Sequence, residues 1–239
     1  MRDVAVLKIG GSVLQGGAGY AKAADFVSRR LQQSSDRFVV VVSAEHGHTD
    51  ELYREAAEID QRPDPALLDL LWSTGEIRSV ALLSLRLRSA GVSVTGVSVH
   101  EVGLKVVPGR DRIAFNPLSI RAALAVHRVV VVPGFLAVDR QRVVTLGRGG
   151  SDWSAVLLAA SLGAGRCELI KDVDGYFTAD PHVDPSAALI PELSYTQALQ
   201  MADEGCPLVQ RAAIAEAASS RLPLVIRSLQ SVGTRVQEN

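Results

Sequence analysis

Val4-Ala5-Val6-Leu7-Lys8-Ile9-Gly10-Gly11-Ser12 is an apolar run that meets a lysine and then a glycine pair. The run 4–9 is short and rich in β-branched and aliphatic residues, as a strand buried on both faces requires. The glycines allow a tight turn whose backbone N–H groups approach an anion closely, because no Cβ intervenes. A helical pattern follows over residues 21–32. The same unit recurs along the chain. Strand patterns lie at 38–43, 92–99, 129–132, 167–171 and 224–226, and helical patterns from residue 50 and at 67–90, 119–125, 153–162, 195–204 and 211–220. Gly91 marks the stop of the long helix at 67–90. Strand, loop and helix in repeated alternation specify an α/β protein with a mainly parallel sheet. In such a sheet ligands sit at the carboxyl ends of the strands. The loops at 10–11, 43–49, 147–152 and 172–180 fall there. The stretch 104–117 is the least regular and reads as a hairpin or flap.

Composition narrows the function. The 239 residues are 47% hydrophobic with a formal net charge of -1, enough chain for one domain with a sizeable core. Lys plus Arg (25) nearly balance Asp plus Glu (26) with no basic run, so a nucleic-acid partner is not expected. No apolar stretch reaches the roughly 18 residues of a membrane span, and the chain begins almost at once with a strand pattern rather than a signal peptide. A cytoplasmic location is the expectation. Cys167 and Cys206 lack metal-type spacing and read as free thiols. His46 and His48 flank Gly47 without a third ligand, so no residue is assigned to a metal. Of the 25 basic residues only Lys8, Lys22, Lys105 and Lys171 are lysines. In a chain that uses arginine for generic positive charge, a retained lysine points to a need for a compact ammonium.

Three further segments carry chemistry. Thr145-Leu146-Gly147-Arg148-Gly149-Gly150-Ser151-Asp152 packs three glycines, an arginine and an aspartate into eight residues. Arg148 offers a planar two-pronged donor to an anion, and Asp152 can orient a lysine or an ammonium. The alternative is a surface turn with a capping aspartate. Lys171-Asp172-Val173-Asp174-Gly175-Tyr176-Phe177-Thr178-Ala179-Asp180-Pro181 either caps turns or meets a nucleotide, with Tyr176 against a base and the polar groups on ribose and phosphates. Ser73-Thr74-Gly75-Glu76 opens or interrupts the long helix, where Glu76 is either solvated or functional. At the first loop, Lys8 beside Gly10-Gly11 suits a phosphoryl group whose charge grows during transfer, although the Walker A spacing is absent; a solvated lysine before a turn is the alternative.

Together these segments resemble the amino acid kinase superfamily and, within it, the aspartokinase catalytic domain. The resemblance is carried in order by Lys8 to Ser12, Val42-Ser43-Ala44 with Thr49 to Leu52, Ser73 to Glu76 with Ala81 to Ser84, Pro133-Gly134-Phe135, Thr145 to Asp152, Asp172 to Tyr176 with Thr178 to Pro181, and Ile190 to Tyr195. It implies a three-layer α/β/α sandwich spanning 1–239 as one domain, with a substrate lobe over about 1–140 and a nucleotide lobe over about 141–239. It implies transfer of the ATP γ-phosphoryl group to a side-chain carboxylate, most simply that of L-aspartate, to give an acyl phosphate. By position in the motifs, Lys8 stabilises the transferring group and Asp152 organises the site. Ser43, Thr49, Glu76, Arg148 and Ser151 bind the substrate, Arg148 on its α-carboxylate and Glu76 on its ammonium. Gly10, Gly11, Ser12, Lys171, Asp172, Tyr176 and Asp180 contact ATP, and Mg²⁺ bridges the phosphates. A homodimer is the family-level expectation.

Four departures stand beside it. Val13 follows Ser12 where aspartokinases carry another small hydroxyl residue. His182 and Pro207 stand where an arginine and a lysine are usual on the nucleotide side, and Lys171 stands where threonine is common. Lys171 is therefore expected to supply the missing phosphate charge. Nothing before Asn239 resembles the regulatory ACT domains, so inhibition by lysine or threonine is not expected. Two other readings stay open: a kinase of the same fold acting on another small amino or carboxylic acid, and a non-catalytic nucleotide- or metabolite-binding member.

Overall fold

The computed structural model describes residues 4–107, 113–147, 149–181, 183–206 and 208–238. The first half of the chain forms β1 (Val4–Ile9), α1 (Gly16–Gln33), β2 (Arg37–Val42), α2 (His48–Ile59), α3 (Pro65–Ser89), β3 (Val94–Gly96), α4 (Val99–Val102), β4 (Leu104–Val106), β5 (Ile113–Phe115) and α5 (Leu118–Val126). The second half forms β6 (Val129–Pro133), β7 (Leu136–Asp139), β8 (Arg142–Thr145), α6 (Gly150–Leu162), β9 (Cys167–Ile170), β10 (Glu192–Ser194), α7 (Tyr195–Asp203), α8 (Arg211–Ser220), β11 (Leu224–Arg227) and β12 (Thr234–Gln237).

Eight strands form one sheet in the order β10-β12-β11-β9-β1-β2-β6-β3. Every pairing in it is parallel except β11 with β12. From β1 the chain winds first to β2 on one side and later to β9 on the other. The carboxyl end of β1 is thus the point where the crossovers diverge and a crevice opens.

Alternation along the strands builds the three layers. Ala5, Leu7 and Ile9 of β1 and Phe38, Val40 and Val42 of β2 pack against Ala23 and Val27 of α1 and Val80, Leu83 and Leu87 of α3. Val6, Val39, Val41, Cys167 and Leu169 point the other way, onto α6 (Ala155, Val156, Ala159) and α8 (Ala213, Ala217). The expected α/β/α sandwich is what these faces make, and full burial of each valine contributes about 1.5–3 kcal/mol. The α1 side also holds a buried carboxylate. Glu168 of β9 accepts from both arms of Arg30 (2.8 and 2.5 Å) and from Arg166 Nε (2.7 Å). Three arginines surround it, since Arg227 lies 3.8 Å away. Its hydrogen-bonding capacity is used within the fold.

Several elements differ from the sequence reading. The strand expected at 92–99 shortens to β3, because Ser98 and Glu101 form a capping box that starts α4 (2.8 Å from Ser98 N and 2.7 Å from its hydroxyl to Glu101 Oε2). Ser73 to Glu76 neither opens nor interrupts α3, which runs unbroken from an Asp64 N-cap with Pro65 behind it. Beyond the strand expected at 129–132, which becomes β6, the chain turns at Phe135, which carries φ 65°, and enters a further strand, β7. The stretch 104–117 does pair as a hairpin, β4 against β5, and with β7 and β8 it forms a separate four-stranded sheet; residues 108–112 lie outside the described residues. Among the described residues no helix is long and apolar enough to cross a membrane.

Candidate active site

Period-two alternation places Lys8 and Lys171 on one face of the sheet. Val6 faces α6, so Lys8 does too. Leu169 of β9 lies opposite Lys8 in the parallel register and shares that face, which carries Lys171, the residue after the strand's end, onto it as well. Helix α6 begins at Gly150, earlier than the residue 153 suggested by periodicity, and its first turn brings Asp152 over these strand ends. The result is a triad in which Lys8 and Asp152 are buried and Lys171 is half-buried. Lys8 Nζ forms an ion pair with Asp152 Oδ1 at 2.9 Å, without hydrogen-bond alignment. Lys171 Nζ donates to Asp152 Oδ2 at 2.7 Å.

Asp152 is 3% exposed. Burial is the largest influence on it and pushes its carboxyl up, but Lys8 and Lys171 together outweigh that and hold it below the usual carboxylate range. Burial lowers the Lys171 ammonium, with Asp152 opposing. Two ammonium groups on one carboxylate leave one net positive charge in a space largely removed from water, a strong field for an incoming anion.

The turn after β1 leaves that space open. Gly10 N donates to Ile170 O at 3.0 Å, tying the turn to the end of β9. A Cβ on Gly10 would stand 3.6 Å from Lys8 Nζ and 3.8 Å from Ser12 Oγ, so the glycine keeps clear the volume between ammonium and hydroxyl. Gly11 is required for a different reason. A Cβ there would sit 2.1 Å from Ala44 O, where the turn docks against the loop after β2. That loop is anchored by Ser43 N to Ile9 O (3.4 Å) and His46 N to Gly11 O (3.2 Å).

Glu76 enters from the opposite layer. It sits on the inner face of α3 and is 3% exposed. Oε1 accepts from Ala44 N at 3.1 Å. Oε2 is buried with no hydrogen-bond partner among the described residues. Burial drives its pKa up to about 7, against smaller downward pulls from the Ala44 and Glu76 backbone N–H groups. Gly75 makes the approach possible: its Cβ would lie 2.9 Å from Ala44 Cβ and 3.1 Å from His48 Cδ2. A buried acceptor with one empty oxygen is the environment a ligand ammonium would complete.

Ser43 and Thr49 are half-buried on the 43–49 loop and the first turn of α2. Thr49 O accepts from Trp72 Nε1 at 3.1 Å, which ties α2 to α3 beside Glu76. Ser151 is buried, and its Cβ stands 2.9 Å from where a Gly134 Cβ would be, so α6 starts against the turn after β6. Asp172 and Asp180 are exposed. Arg148, His182 and Pro207 lie outside the described residues.

Tyr176 is a correction in detail. The sequence reading sets its ring against a base, but the ring is 1% exposed and belongs to the core on the α6 side. Gly175, at φ 147°, leads into it, and Tyr176 N donates to Thr234 Oγ1 at 2.8 Å, which turns the side chain inward. Its hydroxyl is buried without a partner among the described residues, and burial raises its pKa. Phe177, next in the chain, is the more exposed aromatic. Sequence reasoning also missed Ala44 N as the donor that positions Glu76. The Gly75-Glu76 pair inside a helix was its only local signal.

Among the described residues no group of three or more His, Cys, Asp or Glu side chains is placed to hold a metal ion. The model of the amino acid kinase family matches residues 3–228. An aspartokinase of Thermus thermophilus is 40% identical over 213 residues, covering 87% of this chain and 53% of that protein. A crystal structure of aspartate kinase from Synechocystis superposes with a TM-score of 0.88 at 34% identity, covering 98% of this chain and 40% of the other. E. coli aspartokinase III in complex with aspartate and ADP gives 0.82 at 25% identity, covering 99% and 65%. The chain spans about half the length of the curated relatives it matches.

Proposed function

The chain belongs to the amino acid kinase family, and on that footing we propose that it transfers the γ-phosphoryl group of ATP to the side-chain carboxylate of L-aspartate, giving 4-phospho-L-aspartate and ADP. The observation that carries this reading is the pair of lysines on Asp152, Lys8 buried and Lys171 half-buried, beside the open Gly10 turn, with the unpartnered Glu76 oxygen across the crevice. The similarity to aspartokinases, one of them bound to aspartate and ADP, supports the choice of substrates.

In this reading the β-carboxylate oxygen attacks the γ-phosphorus as the bond to the bridging oxygen of ADP breaks. The nucleophile is already ionised at neutral pH, so no general base is needed and catalysis is positioning plus charge stabilisation. Lys8 and Lys171 meet the oxygens on which charge grows. Asp152 keeps both ammonium groups aimed at the same point. The Gly10, Gly11 and Ser12 turn receives phosphate oxygens. Glu76 Oε2 accepts from the substrate ammonium, Arg148 takes its α-carboxylate, and Ser43, Thr49 and Ser151 line the reacting carboxylate. Asp172 and Asp180, on the exposed rim after β9, contact ribose or phosphate, and Tyr176 supports that rim from within the core.

Mg²⁺ fits as an ion carried by the phosphates, since the described residues offer one buried carboxylate already engaged by two lysines rather than a cage. Bound there, it would neutralise charge on the β- and γ-phosphates. The substrate side draws mainly on residues before 140 and the nucleotide side on those after it, with Arg148 and Ser151 crossing over in one direction and Lys8, Gly10, Gly11 and Ser12 in the other. A cytoplasmic homodimer serving amino-acid biosynthesis completes the proposal.

The test is ADP release measured with Mg-ATP and a panel of amino acids, including aspartate, glutamate and N-acetylated aspartate. ADP release that depends on aspartate and fails with the N-acetyl form is expected. Release that depends on a different acid, or on none, would reject the proposal.

A further inference from the structure

A hydrogen bond between α3 and β8 has no part in the reaction drawn above. Thr145 Oγ1 donates to Asp69 Oδ1 at 2.7 Å, and both side chains are half-buried. A hydroxyl on a carboxylate oxygen makes a charge-assisted bond, roughly twice as strong as its neutral counterpart. Its two ends lie on the two elements that divide recognition of the amino acid. Asp69 stands seven residues before Glu76 on α3, with Ser73 between them. Offsets of four and seven keep all three on one face of the helix, and Ser73 and Glu76 are buried on it. Seven residues are two turns, about 10 Å along the axis. Thr145 is the last residue of β8. The Thr145–Asp152 segment starts from it, with Arg148 three residues further along the sequence.

Strand β8 needs such a tie. It is an edge strand of the four-stranded sheet and pairs on one side only, with β7. Thr145 lies opposite Leu136 in that pairing, and Leu146 N donates to Phe135 O at 2.8 Å just beyond it. These bonds hold β8 to its own sheet and leave its distance from α3 unspecified. Helix α3 packs on the other sheet, through Val80, Leu83 and Leu87. The bond from Thr145 to Asp69 fixes one structure against the other at the root of the loop. That distance matters because the ammonium and the α-carboxylate of an amino acid are attached to the same carbon. The protein groups that meet them must therefore keep a set separation, and a misplacement of about 1 Å can cost on the order of a hundredfold in rate.

We propose that Asp69 is a positioning residue for the amino-acid acceptor: through Thr145 it anchors the Thr145–Asp152 loop to the helix that carries Glu76. The helix acts as a ruler between the two anchoring points. Glu76 receives the ammonium, and two turns away Asp69 holds the root of the loop to which Arg148, the partner of the α-carboxylate, belongs. Asp69 touches no substrate in this role. It acts on the amino acid alone, since the phosphate-receiving turn at Gly10 and the Lys8–Asp152–Lys171 triad are tied down by other bonds, Gly10 N to Ile170 O and the ion pairs on Asp152. The inference rests on the reaction proposed above and names a further determinant of its specificity.

Steady-state ADP release, with aspartate and Mg-ATP varied in turn, tests it. Thr145→Val keeps the shape of the side chain and removes the donor, and Asp69→Ala removes the acceptor. Each variant is expected to retain the wild-type circular dichroism spectrum. Each should raise the KM for aspartate by about tenfold, in keeping with loss of one hydrogen bond to a charged group, and leave the KM for ATP within about twofold. The double variant should be no worse than the poorer single one, because both changes remove the same bond. Thr145→Ser restores the hydroxyl and should return the KM for aspartate to near the wild-type value. Should either single variant lose the fold, Asp69→Asn carries the test. It keeps an oxygen acceptor without the charge and should raise the KM for aspartate alone by about threefold. Wild-type constants in the single variants, equal rises in both KM values, or losses that multiply in the double variant would overturn the role of Asp69 while leaving the reaction intact. Wild-type protein that releases no ADP in response to aspartate would instead reject the proposed reaction, and this inference with it.

Discussion

Replacing Glu76 with glutamine should make the unliganded protein more stable while removing its amino-acid recognition. The wild-type carboxyl is buried with one oxygen on Ala44 N and the other on nothing among the described residues. Burial, the dominant cause, raises its pKa from the ordinary 4.5 to about 7. Below the ordinary value the group is protonated in both folded and unfolded chains and contributes no pH dependence. As pH rises from there towards 7, the unfolded chain releases the proton while the folded one retains it, so stability falls. Above about 7 the loss is complete. At 1.36 kcal/mol per pKa unit the shift corresponds to about 3 kcal/mol. Glutamine keeps an acceptor for Ala44 N and has no charge to bury, so Glu76→Gln should escape this loss, less the cost of leaving its amide donors unpaired. Urea unfolding at pH 5, 6, 7 and 8 measures the effect. The difference in unfolding free energy between variant and wild type should widen with pH, by about 2–3 kcal/mol over the series. The same variant should lose most of its aspartate-dependent turnover, because the ammonium no longer meets a carboxylate. Parallel stability curves for variant and wild type, or a gap that narrows as pH rises, would refute the reasoning.

Other perturbations follow from the same geometry. Lys171→Met removes one of the two ammonium groups on Asp152 and should lower kcat about a hundredfold, in the range expected for loss of one preorganised charge donor; steady-state kinetics with ATP varied would contradict this by returning wild-type values. Gly75→Ala adds helix propensity worth about 1 kcal/mol, but the new Cβ stands 2.9 Å from Ala44 Cβ and displaces the donor that positions Glu76. The KM for the amino acid should rise about tenfold with the KM for ATP unmoved, and a variant more stable yet wild-type in both constants would show that Ala44 does not position Glu76. Tyr176→Phe deletes a buried hydroxyl that has no partner among the described residues. Thermal unfolding should show no loss of stability and a gain of up to about 1 kcal/mol, with the KM for ATP within twofold of wild type; a large rise in that KM would restore a direct nucleotide role to Tyr176.

Much of this was legible along the chain because buried parallel strands keep strict alternation. Recognising Val4 to Ile9 and the strand ending near Lys171 puts both lysines at strand ends, and the glycine turn before Asp152 starts a helix; that the three groups meet follows from the register that sets Lys8 opposite Leu169. Other features depend on partners far away in sequence. The Asp172 to Phe177 loop offers two adjacent aromatics, and which one turns inward is decided by Thr234, 58 residues on. Glu76 looks like any glutamate on a helix until the loop after β2 docks on Gly75. The hairpin of β7 and β8 is hard to read because its turn at Arg140 takes positive φ without the glycine or asparagine that announces such turns. At one end of the sheet the edge strand β10 and its neighbour β12 are three and four residues long and owe their conformation to each other and to β11.

The most direct test of the account is to trap the product. Incubation of the chain with Mg-ATP, L-aspartate and hydroxylamine, followed by mass spectrometry, should yield aspartyl 4-hydroxamate in step with ADP, and Lys8→Met should abolish both. ADP released without any hydroxamate, or a hydroxamate of some other acid, would contradict the assignment of aspartate as the phosphoryl acceptor.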